Sequence, residues 1–107
     1  MKNLNKKSTR NILEDISEHC FTYMVPYKYG KQDYRGSDKY KKGRITTYEW
    51  INNLSYYYMK QEENLREEFI LYLKSKNEEI QFLKDGDYKK GISDVLKEVL
   101  EKVEQTK

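Results

Sequence analysis

Residues 46–86 read TTYEWINNLSYYYMKQEENLREEFILYLKSKNEEIQFLKDG, and this stretch decides the fold. It holds no glycine or proline before Gly86 and is rich in helix-forming residues. Apolar positions recur at Ile51, Leu54, Tyr58, Leu65, Phe69, Tyr72, Ile80 and Leu83, and a second line adds Trp50, Tyr57, Ile70 and Leu73. That spacing places the stretch on helices. Thr46 followed by Glu49 has the form of a capping box at its start. Two arrangements fit: one helix of up to about 38 residues, roughly 57 Å long, or two helices broken near residues 60–64, where Gln61, Glu62 and Glu63 interrupt the apolar line. The uninterrupted helix formers favour the single helix. A helix that long needs a companion to cover it, and a coiled-coil or bundle homodimer supplies one.

Upstream, Ser8 and Thr9 are N-cap candidates. Ile12, Leu13, Ile16, Cys20, Tyr23 and Met24 follow at helical spacing, with Asn11, Glu14, Asp15 and Glu18 on the other side. This predicts an amphipathic helix of about 16 residues that ends before Pro26, because the residue preceding a proline avoids the helical region. Downstream, Asp85-Gly86-Asp87 reads as a turn, with Gly86 closing the long helix. Ile92, Val95, Leu96, Val99, Leu100 and Val103 form a clean final stripe, and Asp94, Lys97, Glu98, Glu101 and Lys102 are assigned to water. The short connection predicts that this last helix folds back antiparallel on the long one. The expected fold is all-α and a single domain over residues 1–107, with residues 1–8 as a flexible N-terminus.

Between the first and second helical stretches, residues 26–45 have no clean period and contain Gly30, Gly36 and Gly43. They read as an irregular basic loop with a possible short hairpin. Charge concentrates here: residues 26–48 carry seven Lys or Arg against two Asp, whereas residues 11–25 carry three acids and no Lys or Arg. Tyr40-Lys41-Lys42-Gly43 recurs as Tyr88-Lys89-Lys90-Gly91, each followed within two residues by isoleucine. In each copy the glycine is expected to permit a tight turn into a helix.

Composition sets aside several classes. The chain has 107 residues and is 36% apolar, and eleven tyrosines are part of that figure, so the aliphatic core is thin: either helices pack around shared tyrosines or a partner chain completes the core, and a homodimer is favoured. No apolar run approaches the roughly 20 residues that cross a bilayer, no signal-peptide pattern follows Met1, and the acidic polar side of the first helix disfavours a membrane surface; a cytoplasmic location is expected. The single cysteine, Cys20, rules out an internal disulfide or a paired-cysteine zinc site. His19 and Cys20 are adjacent and do not share a helix face, so they do not form a nucleophilic pair; Cys20 is expected in the core and His19 in an exposed pair with Asp15. Glu62, Glu63, Glu67, Glu68, Glu78 and Glu79 alternate with lysine and arginine and read as a solvated face. The glycines match no phosphate loop. No catalytic residue, cofactor or metal is expected, and the chain is read as a non-enzyme.

Two binding functions remain. Protein–protein interaction and self-association would use aromatic hot-spot residues, with Tyr48, Trp50, Tyr56, Tyr57 and Phe69 as candidates. Tyr56, Tyr57 and Tyr58 cannot all enter one core, since three consecutive residues span about 200° of a helix, so Tyr56 at least should point elsewhere. The alternative is RNA or single-stranded DNA on the basic segment. There Lys28, Lys31, Arg35, Lys39, Lys41, Lys42 and Arg44 would meet phosphates, and Tyr29, Tyr34 and Tyr40 would stack on bases.

Overall fold

The computed structural model describes residues 9–30, 36–60 and 66–105. These form four helices: α1 (Thr9–Tyr29), α2 (Asp38–Met59), α3 (Arg66–Glu79), continued by a 3₁₀ turn (Ile80–Phe82), and α4 (Asp87–Gln105). No strand occurs among the described residues. Helix α2 is the centre of the packing. Ser17 meets Asn52 and Lys28 meets Glu49, so α1 and α2 are antiparallel. Tyr58 meets Glu68 and Trp50 meets Lys76, so α3 is antiparallel to α2 as well. The α2–α4 pairs Ser37–Asp87, Tyr40–Asp94 and Arg44–Glu98 advance in the same sense, which makes these two helices parallel.

The single-helix reading of residues 47–84 does not hold. Helix α2 stops at Met59, and α3 starts at Arg66 and doubles back. The break falls where the apolar line lapses. Glu62, Glu63 and Leu65 lie outside the described residues. With α3 lying on α2, the helix no longer needs a second chain to cover it, and that argument for a dimer lapses. The final helix packs parallel to α2, because α3 now intervenes between them.

The expected loop over 26–45 is largely helical. Helix α1 continues through Pro26 to Tyr29, and Gly30 N donates to Pro26 O at 2.9 Å. Proline deletes only the bond its own N–H would make and strains the preceding turn. Contacts beyond it hold the last turn: Lys28 to Glu49 at 3.0 Å, and Tyr27 against the Arg44 guanidinium at 4.5 Å. Helix α2 begins eight residues before Thr46, capped by Ser37, whose Oγ accepts from Tyr40 N at 3.2 Å. Thr47 lies inside the helix and donates back to Gly43 O.

The repeated Tyr-Lys-Lys-Gly segments meet each other. A methyl on Gly43 would stand 2.2 Å from Tyr88 O, and one on Gly91 would stand 2.2 Å from Tyr40 O. Each glycine therefore packs on the carbonyl three residues before the other, a reciprocal backbone contact that only glycine permits. The glycines serve a helix crossing, not the expected turns into helices. Gly86 has φ +154° and its carbonyl accepts from Lys90 N, so it starts α4 instead of ending α3.

The core follows the apolar stripes. Ile12, Leu13, Ile16 and Cys20 of α1 join Tyr48, Ile51 and Tyr58 of α2, Phe69 and Leu73 of α3, Ile80, and Ile92, Val95, Leu96, Val99 and Val103 of α4. Burial pushes the Cys20 thiol up to about 12, with a smaller push from Glu98.

Candidate interaction surfaces

The basic segment is largely turned inward. Arg44 is buried, and its guanidinium sits against the rings of Tyr27, Tyr40 and Tyr48 at 4.5, 5.7 and 5.4 Å. Its Nη1 donates to Tyr40 Oη at 3.0 Å, and its Nη2 donates to Tyr48 Oη and to Glu98 Oε2, the latter at 2.8 Å. Among the described residues, Arg44 Nε has no hydrogen-bond partner. Tyr48 donates to Glu98 Oε1 at 2.5 Å, His19 Nε2 donates to the same oxygen at 2.7 Å, and Tyr40 donates to Asp94 at 2.7 Å.

Glu98 is thus the hub of a network joining α1, α2 and α4, not a solvated residue, and His19 pairs with it. Burial alone would raise the Glu98 carboxyl. The bonds from His19, Tyr48 and Arg44 outweigh burial and hold it at about 2. Burial and the bond to Glu98 push the Tyr48 phenol well above the usual tyrosine range. A guanidinium held by three rings, two phenols and a carboxylate is a structural tie between helices, with no face left for phosphate.

The other candidates for nucleic acid are dispersed. Lys41 is buried, 3.8 Å from Asp38. Tyr40 is half-buried in the network, and Lys28 pairs with Glu49. Tyr29, Lys39 and Lys42 are exposed. Lys31, Tyr34 and Arg35 lie outside the described residues. Of the protein-interface candidates, Tyr48 and Phe69 belong to the core, which removes them from any surface. Trp50 is half-buried under Lys76, at 5.0 Å. Tyr56 and Tyr57 are more than half exposed, and Tyr58 is buried with its phenol on Glu68.

Two clefts flank α2. The first, of about 550 Å³, lies between α1 and α2. Glu14, Ser17, Glu18 and Phe21 form its α1 wall, and Asn52, Tyr56, Met59 and Lys60 form its α2 wall, with the Ser17–Asn52 hydrogen bond between the walls. The second, of about 480 Å³, lies where α2, the 3₁₀ turn and α4 meet; Trp50, Ile80, Phe82, Leu83, Tyr88 and Ile92 are its apolar lining. At 100° per residue the two α2 stripes, Asn52/Tyr56/Met59 and Thr46/Trp50, point roughly 130° apart. The clefts therefore open on different sides of the central helix.

Phe82 is the most conspicuous surface residue, 92% exposed. The turn that carries it is pinned. Ile80 is buried on the inner side, Leu83 N donates to Ile80 O at 3.0 Å, and Lys89 Nζ donates to Gln81 O at 3.3 Å. Periodicity did not single out Phe21, Phe82 or Tyr88. Their one signal was negative: Phe21 falls off the first apolar stripe, and Phe82 breaks helical spacing between Ile80 and Leu83.

No group of three or more His, Cys, Asp or Glu able to hold a metal occurs among the described residues, and none of their helices is long and apolar enough to cross a membrane. Compared with known proteins, the chain matches no family model, no curated protein and no solved structure.

Proposed function

We propose that this chain is a non-enzymatic interaction protein that works by protein–protein contact, including contact between its own copies. The observation that carries this reading is Phe82: a fully solvated phenylalanine on a turn fixed by a buried isoleucine and a lysine–carbonyl bond. A rigidly presented aromatic loses little freedom on binding, which makes it a suitable interface anchor. Leu83, Tyr88 and Trp50 beside it, and Phe21 and Tyr56 across α2, extend the apolar surface at two places.

A second reading, binding of RNA or single-stranded DNA, draws support from the glycine crossing. It brings Lys39 of the first basic segment near Lys84, with the Ser37–Asp87 bond linking the two segments. Asp38, Asp85, Asp87 and Asp94 are interspersed, and Lys90 pairs with Asp94, which weakens the field. The protein-contact reading is therefore preferred.

The deciding experiment is native mass spectrometry of the protein recovered gently at near-physiological salt. The expected result is a nuclease-insensitive complex of fixed composition that disappears with Phe82→Ser or Tyr56→Ser. Nuclease-sensitive mass, with log K falling against log salt at a slope of about −3 to −5, would replace this reading with the nucleic-acid one.

A further inference from the structure

We infer that two copies of this chain form a dimer by exchanging their α3–α4 halves, with α2 and α3 of each copy running on as one long helix. The inference rests on the self-contact named in the reading above and specifies how that contact is made; Phe82 and Tyr56 take no part in it.

Sequence and fold pull apart at the break between α2 and α3. Residues 47–84 hold no glycine or proline. Ile51, Tyr58, Leu65 and Tyr72 stand seven residues apart, so the apolar stripe keeps its phase through the break, as one continuous helix requires. The backbone is still in the helical region where α2 stops: Lys60 has φ −82° and ψ −11°, and its N–H donates to Tyr57 O at 3.3 Å. Running on would make Asp38–Glu79 a single helix roughly 63 Å long, and once a helix is started each further residue adds a backbone bond.

What covers that helix is already present in the fold. Tyr58 donates to Glu68, Lys76 lies over Trp50, and both pairs are centred on position 63, five and thirteen residues to either side. Two continuous helices laid antiparallel about a twofold axis at that position would form each pair twice, between copies instead of within one. Helix α4 travels with α3, so the Tyr40–Asp94 and Arg44–Glu98 bonds and the Gly43–Gly91 crossing would also form between copies. The dimer therefore reuses a fit that the single chain already has; it is isologous, closes on itself and needs no new surface. Phe69, Leu73, Val95 and Val99 are buried, so exchange passes through opening of the core and is slow.

The test unfolds the full chain in denaturant, refolds it over a wide range of concentrations and counts copies by native mass spectrometry. The dimer fraction is expected to rise with the concentration during refolding and to persist on dilution. Ser37→Cys with Asp87→Cys, in a Cys20→Ala background, reads which chain fills each seat. Ser37 Oγ donates to Asp87 at 2.6 Å, so the two new thiols meet across the α2–α4 seam. Exchange makes their disulfides join the copies, and the oxidised dimer should stay covalent in denaturant. Glu62→Gly with Glu63→Gly puts two glycines into each long helix of the dimer and none into α2 or α3; it should weaken dimerisation on the order of a hundredfold and leave the circular dichroism of the monomer unchanged. A chain that stays monomeric after refolding at every concentration overturns the inference. So does a dimer whose disulfides close within each chain, or one indifferent to the two glycines. Phe82→Ser should leave the dimer in place. If exchange fails while a complex with another protein is lost on Phe82→Ser, the interaction reading stands and only the exchange falls.

Discussion

Replacing Gly91 by alanine tests the packing reading directly, because two effects of opposite sign compete. Alanine is favoured over glycine inside a helix by about 0.8–1 kcal/mol. If Gly91 were an ordinary helical glycine, Gly91→Ala would stabilise the protein by about that amount. In this fold the new methyl would lie 2.2 Å from Tyr40 O and 2.9 Å from Arg44 N. Both are backbone atoms, so no rotamer change relieves the clash, and α2 and α4 must separate by roughly 1 Å in an interior that is otherwise close-packed. Overpacking of this kind costs about 1–3 kcal/mol, occasionally more. Separation also loosens Ile51, Val95 and Val99 in the shared core and stretches the 2.8 Å Arg44–Glu98 bond. Less the propensity gain, the net expectation is destabilisation by up to about 2 kcal/mol, or a Tm lower by up to about 10 °C for a domain of this size. Urea unfolding followed by far-ultraviolet circular dichroism measures it. Gly43→Ala should behave alike, its methyl meeting Tyr88 O at the same 2.2 Å. Once one methyl has parted the helices the second costs less, so the double variant should fall short of the sum by about 0.5 kcal/mol or more. A Gly91→Ala protein more stable than wild type by about 0.8–1 kcal/mol, the gain of an ordinary helical glycine, would refute the reciprocal crossing.

Three further outcomes follow from the network and the core. Glu98 has a carboxyl depressed from 4.5 to about 2, so its contribution is fully present above the unfolded-state value and is lost as pH falls through the folded one. Urea midpoints should therefore drop between about pH 5 and pH 2, and Glu98→Gln should be less stable at neutral pH but flatter over that window. Arg44→Met should cost about 3 kcal/mol, since it strands the partly buried Glu98 charge; Arg44→Lys should recover little, because an ammonium cannot reach Tyr40, Tyr48 and Glu98 with one planar fork. Chemical denaturation reads both. Cys20, buried and with its thiol raised to about 12, should resist a thiol reagent in the native state and react rapidly in denaturant; rapid native labelling would show that α1 opens.

What could be read from the chain depended on where periodicity was complete. The α4 stripe from Ile92 to Val103 repeats without interruption, and the residues it named are buried or half-buried. The all-α class and the buried Cys20 followed from the same signal. Periodicity failed at 26–45, because Pro26 and Gly43 are both tolerated for tertiary reasons. Tyr27 and Lys28 hold the turn beyond the proline, and Gly43 is required by a partner helix about 50 residues away in sequence. Local propensity cannot register either contact. The repeated Tyr-Lys-Lys-Gly was the available clue, since a glycine recurring inside two cationic segments has a reason only if the segments meet.

The same limit explains the candidate residues. Composition treats Arg44, Tyr40 and Tyr48 as polar or amphipathic groups available at the surface, yet the fold uses them to tie α1, α2 and α4 together. An all-helical chain with few aliphatic residues needs such ties. Tyrosine adds buried ring area, and its phenol must then find a partner. Glu98 satisfies Tyr48 and, with it, the arginine that stacks on three rings. The aromatic surplus of this sequence therefore divides into tyrosines spent on internal hydrogen bonds, Tyr40, Tyr48 and Tyr58, and an exposed set that includes Phe21, Tyr56, Phe82 and Tyr88. The first set accounts for how so thin a core holds. That division is why the two clefts, and not the basic segment, carry the functional argument.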